Sequence, residues 1–175
     1  MKKLLIVITG HPGSGKSTLA KRLSREYRIP FVSKDNIKER IFDSLGVKDK
    51  VWSRKVSDVS HRIMDDAVDQ ELAAGRSVIV ESNFKHNIDS KRFTELAQKY
   101  NADCFQILCT ASGDVLFQRW KKRIKAGERH AGHVEEISLD EIKKDLAKPY
   151  KALDLPGELV DVDTTDIRSI TMPEL

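Results

Sequence analysis

Apolar positions along this chain follow two alternating patterns. Short continuous runs occur at Leu4-Leu5-Ile6-Val7-Ile8, at Val78-Ile79-Val80 and around Phe105, Ile107, Leu108 and Cys109. A shorter one follows at Leu159-Val160. Such runs predict strands over 3–9, 77–81, 102–110 and 159–163 that are covered on both faces. Between them, apolar residues recur at helical spacing. Leu19, Ala20 and Leu23 predict a helix over 16–27, stopped at Ile29-Pro30 because proline disfavours helix in the residue before it. A short strand at 31–33 leads into a stripe of Ile37, Ile41 and Leu45. The longest helical pattern, about 52–74, carries Val56, Val59, Ile63, Ala67 and Val68, with Gly75 as its stop. Helices are also predicted over 89–100 and over 113–125, the latter with Leu116, Trp120 and Ile124 on one face. A capping box, Ser138-Leu139-Asp140-Glu141, opens one more, which ends near 147, before Pro149.

Strand and helix alternate without an internal repeat, a low-complexity tract or a linker. This order predicts an α/β fold of three layers, α/β/α, over one domain, 1–175, with five parallel strands. At 175 residues the chain can bury a substantial core.

Composition narrows the function only slightly. Lys plus Arg (31) against Asp plus Glu (27) leaves +4, enough to meet phosphate groups but not to mark a nucleic-acid surface. Few aromatics argue against an extended base-stacking platform. Cys104 and Cys109 share one predicted strand at odd spacing, so they point to opposite faces and cannot pair. They read as buried reduced thiols, and with no transmembrane-length run or signal-peptide cleavage site the expected location is cytoplasmic.

The chemistry is concentrated after the first strand. Gly10-His11-Pro12-Gly13-Ser14-Gly15-Lys16-Ser17 is a complete G-x-x-x-x-G-K-S loop between a strand and a helix that continues with Thr18. Glycines let the backbone approach a ligand closely, and successive N–H groups with the helix start surround phosphate oxygens. Lys16 would bridge the β- and γ-phosphates and the Ser17 hydroxyl would ligate Mg²⁺. The loop therefore predicts binding of a nucleoside triphosphate.

Two carboxylates stand where strands reach that edge. Asp35 lies at a helix start, where capping and catalysis compete for it, since Ser33 and Asp35 are both good caps. Glu81 ends an apolar strand, the usual place to hold Mg²⁺ or its water. Asn83, just beyond, could hydrogen-bond a substrate or form a turn. Arg119 and Arg123 share a helix face, followed by the glycine- and charge-rich 126–133, which reads as a mobile lid bringing cations to a migrating phosphate. His130 and His133 have the spacing of a metal pair, but no third ligand completes a zinc site. His61 is read as an ordinary packing histidine. Thr164-Thr165-Asp166, after the last strand, should lie beside the nucleotide base.

With these pieces in place the chain resembles the P-loop "predicted kinase" group of small ATP-binding, AAA-like kinases. Relatives of that group include the kinase domain of phage polynucleotide kinase, zeta-type toxins and chloramphenicol phosphotransferase. The resemblance implies a P-loop NTPase fold with a helical lid over about 119–137. It implies a general-base role for Asp35, matched by Ser33-Lys34-Asp35. Leu116, Arg119 and Arg123 match an L-x-x-R-x-x-x-R lid pattern, and Arg129-His130-Ala131-Gly132-His133 resembles an R-H-P-G-H signature with alanine in place of proline. It therefore implies that Lys16, Asp35, Arg119, Arg123 and Arg129 are catalytic, with Arg119 also on the nucleotide. Lys38 and Arg40, with Asp35 and Asn83, fall on the acceptor side. Lys38 stands where polynucleotide kinases tend to use arginine, and a lysine cannot make the same bidentate phosphate contact.

The expected activity is ATP- and Mg²⁺-dependent phosphoryl transfer to a hydroxyl of a small-molecule or nucleoside-like acceptor. A 5′-hydroxyl polynucleotide kinase, with a nucleic-acid partner, is the second reading. A nucleotide-dependent switch or zeta-like toxin with a protein partner is the third, although no N-K-x-D guanine motif is present. No pattern in 37–57 or 83–92, the segments expected to line the acceptor pocket, identifies the acceptor.

Overall fold

A computed structural model describes residues 2–133 and 138–166. In chain order the elements are β1 (Leu4–Gly10), α1 (Lys16–Tyr27), β2 (Phe31–Ser33), α2 (Lys34–Leu45), α3 (Lys50–Ala73) and β3 (Val78–Glu81). They continue with α4 (His86–Tyr100), β4 (Asp103–Thr110), α5 (Gly113–Lys125), α6 (Leu139–Leu146) and β5 (Gly157–Asp163). The strands form one parallel sheet in the order β2-β3-β1-β4-β5. Chain order reverses at β1, so the loop leaving it sits at the switch point where open α/β sheets place their ligands.

Alternation along the strands divides the core in two. Leu5, Val7, Val78 and Val80 pack against Met64, Val68 and Leu72 of α3 and Phe93 of α4. Ile6, Ile8, Ile79 and Ile107 pack against Leu19, Ala20 and Leu23 of α1. Cys104 joins the first layer and Cys109 the second, as their odd spacing requires. Both thiols are free, and burial pushes them up to about 11 and about 12, which keeps them protonated. No helix among the described residues is long and apolar enough to cross a membrane.

Three helices differ from their sequence pattern. α2 buries Lys38 and Phe42, while Leu45, expected in the apolar stripe, is 60% exposed. α3 buries Ser53, Val56, Ser60, Met64, Val68 and Leu72, leaving Val59 and Ile63 outside. Two near-equivalent stripes run along α3, and small serines let one of them approach closely. The Ser60 hydroxyl stays satisfied there by donating to the Val56 carbonyl at 2.6 Å. On α5 only Leu116 is buried, against Ile142 and Leu146 of α6, and Ile124 stays exposed. α4 also starts at His86 rather than 89, because the Asp89 carboxylate accepts from the Lys85 N–H and secures an earlier turn.

Candidate active site

The loop after β1 has a backbone that only glycine can supply at its two ends. Gly10 leaves the strand at φ 142°, wedged between the Cys109 carbonyl and the Ser14 hydroxyl, where a Cβ has no room. Gly15, at φ 81°, is the N-cap of α1 and brings no side chain to the first-turn N–H groups. Ser14 is fully buried, and its hydroxyl has no partner among the described residues. Lys16 is buried as well and donates to the His11 carbonyl at 2.8 Å. Uncapped amides, an orphan hydroxyl and a buried ammonium around one concave loop suit phosphate oxygens. Pro12 is half-buried, and Ser17 and Thr18 are exposed at the mouth.

The loop is braced from behind. His11 donates through Nε2 to the Lys148 carbonyl at 2.8 Å, and its ring meets Tyr150 edge-on at 5.0 Å. The Tyr150 hydroxyl donates to the Phe84 carbonyl at 2.6 Å and accepts from Thr9 at 3.1 Å. Gln106, buried in β4, holds this return segment through paired hydrogen bonds with the Leu153 backbone. Neither Tyr150 nor Gln106 belongs to a recognisable motif, and sequence reasoning did not find them.

Glu81 ends β3 in register with Ser33 of β2 and is 2% exposed. One of its oxygens, Oε2, accepts from both Ser33 (2.8 Å) and Ser17 (3.2 Å). Burial raises the Glu81 carboxyl above its ordinary value, with Lys16 as the main opposing influence. Burial likewise lowers Lys16, opposed chiefly by Glu81. A hydroxyl beside a carboxylate is a hard-oxygen pair that fits Mg²⁺, which takes few protein ligands and completes its shell with phosphates and water. No larger His/Cys/Asp/Glu cluster suited to a metal occurs among the described residues.

Asp35 lies in the first turn of α2, and the structure decides what caps that helix. Ser33 is the N-cap, accepting from the Asn36 N–H, which leaves the Asp35 carboxylate available. That carboxylate accepts from Lys34 at 3.2 Å and is half exposed. Burial acts to raise its pKa, but Lys34, His133 and Lys16 together outweigh it and hold the group below the ordinary aspartate value. His133 beside Asp35 was visible in the sequence only as half of a metal-like pair.

Arg119 joins the loop to the end of the sheet. Its guanidinium donates to the Gly13 carbonyl (3.3 Å) and to the Thr164 (2.6 Å) and Thr165 (3.1 Å) carbonyls. Arg123, one turn on, is exposed and adds positive potential at Lys16. Arg129 sits over the Trp120 ring, 5.9 Å from its centroid.

The segment after α5 rests on α2 and α3. His130 stacks on Phe42 and pairs with Asp43 at 3.1 Å, and His133 pairs with Glu39 at 2.9 Å. Gly132 lies so close to the Phe42 ring that a Cβ would overlap it, and its carbonyl accepts from Ser53 at 3.2 Å. Residues 134–137 of the expected lid lie outside the described residues.

The acceptor-side residues separate. Lys38 is buried, with its ammonium 5.6 Å from the Phe42 ring centroid. Arg40 is exposed and pairs with Asp43, about 140° round the helix from Asp35, so the two do not converge. Asn83 is exposed in the turn after β3.

A family model described as an AAA domain matches residues 5–149. An adenylate kinase of Mycobacterium ulcerans is 28% identical over 148 residues, spanning 79% of this chain and 77% of its own. A crystal structure of a candidate kinase from Chloroflexus aurantiacus is 38% identical, with a TM-score of 0.91 over 98% of this chain and 94% of that one. A chain of the PezAT chromosomal toxin–antitoxin system of Streptococcus pneumoniae shares the fold at 15% identity. Its TM-score is 0.60, over 73% of this chain and 55% of that one.

Proposed function

This chain belongs to the AAA-domain family and is a P-loop kinase; from that premise we propose that it moves the γ-phosphate of ATP, with Mg²⁺, to a hydroxyl of a small-molecule or nucleoside-like acceptor. It would do so in the cytoplasm, as a single domain whose lid spans about 119–137. The observation that carries this reading is the carboxylate of Asp35. It is released from capping by Ser33 and held ionised on the same sheet edge as the loop.

In this reading the 10–18 loop holds the triphosphate, and Lys16 turns from the His11 carbonyl to the phosphates. Ser17 and Glu81 would hold Mg²⁺, which would neutralise charge on the phosphates. Asp35 accepts a hydrogen bond from the acceptor hydroxyl and takes its proton as the new P–O bond forms. The transition state of phosphoryl transfer is loose, so orienting the hydroxyl matters more than strong basicity, and a carboxylate of low pKa suffices. Arg119 anchors the nucleotide side, Arg123 and Arg129 meet charge on the migrating group, and Lys38 faces the acceptor side.

Transfer from γ-labelled ATP, offered in parallel to a mixed metabolite extract and to a 5′-hydroxyl oligonucleotide, tests the proposal. The expected result is label in the extract that disappears in Asp35→Asn and Lys16→Ala. Label confined to the oligonucleotide would replace the proposal with a nucleic-acid end kinase. Absence of Asp35-dependent label would leave a nucleotide-dependent switch.

A further inference from the structure

α2 and α3 pack together and leave an outer face that the described chain does not cover. Among the described residues, five of the nine exposed large apolar side chains fall within 45–63. Among them are Leu45 and Val51 (each 60% exposed), Val59 (47%) and Ile63 (43%). A groove of about 570 Å³ runs between the helices, lined chiefly by Ile37, Ile41, Leu45 and Ile63. At about 3.6 residues per turn, its α2 positions centre on the side of the helix opposite Asp35. The groove therefore opens away from the phosphate loop.

Beside this apolar strip stands a row of charges. Arg54, Asp58, Arg62 and Asp66 follow at intervals of four on the exposed face of α3 and alternate in sign. None of the four forms an ion pair among the described residues. Read backwards, the row Arg-Asp-Arg-Asp becomes Asp-Arg-Asp-Arg. Such a row complements itself when two copies run antiparallel, and a two-fold axis produces that arrangement. Packing the same i±4 ridge of two helices gives the commonest crossing, about −50°. Arg54 then meets Asp66 of the other copy, Asp58 meets Arg62, and each contact occurs twice. The adjoining ridge places Val59 and Ile63 of both copies around the axis.

We propose that this face of α3, with the apolar edge of α2, is a two-fold interface whose occupant is a second copy of this chain. Burial of Val59, Ile63 and Leu45 supplies the attraction, and the charge row fixes the antiparallel register and rejects other partners. The interface lies on the side of α2 away from Asp35, so both copies keep their phosphate loops open.

Sedimentation equilibrium of the full chain, alone and as charge variants, tests this. The wild type is expected at twice the chain mass. Asp58→Arg and Arg62→Asp each set like charges together at two places across the axis and should halve that mass. An equimolar mixture of the two variants restores opposite charges across the axis and should return to twice the chain mass. Arg54→Asp and Asp66→Arg form a second, equivalent set should either of the first pair fold poorly. A wild type of single-chain mass at its highest soluble concentration would overturn the proposal. So would variants that remain paired, or a mixture that stays at single mass.

Discussion

Ser33 and Glu81 stand side by side at the ends of β2 and β3, the serine hydroxyl donating at 2.8 Å to a carboxylate oxygen that Ser17 also approaches. The same Ser33 hydroxyl caps the helix that carries Asp35. One small side chain thus links the proposed metal carboxylate to the proposed base.

Ser33→Ala removes a hydrogen bond to a buried carboxylate, worth about 1.5–3 kcal/mol, and a helix cap worth about 1 kcal/mol. The expected outcome is a roughly tenfold or greater rise in the Mg²⁺ concentration needed for half-maximal transfer. Ser33→Thr, which keeps the hydroxyl, should stay near wild type. A Mg²⁺ titration of the three proteins checks this, and an unchanged midpoint in Ser33→Ala would remove Ser33 from the metal side.

Asp35→Asn should leave ATP affinity intact and reduce kcat by about 10²–10⁴, the usual contribution of a positioned base. Because Lys34, His133 and Lys16 hold Asp35 below the ordinary carboxylate value, it is ionised throughout neutral pH. Its protonation should therefore produce no fall in rate between pH 8 and about 5, and the acid limb should begin only below the usual aspartate range. A pH–rate profile of the wild type reads this directly.

Glu81→Gln separates metal binding from stability. Burial raises the Glu81 carboxyl above 4.5, so the folded chain holds this proton longer than the unfolded chain does. As pH rises through that window the unfolded state ionises first, and stability falls. Glutamine removes this pH dependence, so the melting temperature of nucleotide-free Glu81→Gln relative to wild type should rise from pH 4 to pH 7, while the variant requires more Mg²⁺ for transfer. For a chain of this length about 1 kcal/mol corresponds to roughly 2–4 °C. Melting curves at pH 4 and pH 7 compare the two proteins.

Gly132→Ala places a methyl group into the Phe42 ring. Overpacking of this kind costs about 1–3 kcal/mol, relieved here by lifting the 130–133 segment off α2. The expected signature is increased proteolytic cutting near 126–133 with an unchanged ATP dissociation constant, read by limited proteolysis and calorimetry. The pairs His130–Asp43 and His133–Glu39 would separate with it.

The phosphate loop and the sheet were legible in the sequence because each rests on local rules. Gly10 to Ser17 announce their conformation by residue type, and the apolar runs of β1 and β3 allow no reading but strands. Glu81 and Asp35 were placed by the same logic, a polar residue ending a strand or opening a helix at the sheet edge. The stripe on α3 was not legible, since Val59 and Ile63 satisfy helical periodicity as well as Ser60 and Met64 do; only the packing of the sheet selects between them. The brace by Tyr150, the Ser33–Glu81 bond and the approach of His133 to Asp35 join residues tens of positions apart. Such pairs carry no spacing signal, and they appear only once the strand order brings them together.

Tyr150 ties the end of β1, through Thr9, to the segment between β3 and α4, through Phe84, and His11 leans on its ring. The floor beneath the nucleotide is consequently assembled before any ligand arrives. A chain that had to order this floor during binding would lose conformational freedom at that moment and weaken its own affinity. Here that loss has already occurred during folding, so nucleotide capture should resemble filling a rigid mould, and the slower adjustments belong to the arginine- and histidine-bearing side opposite it.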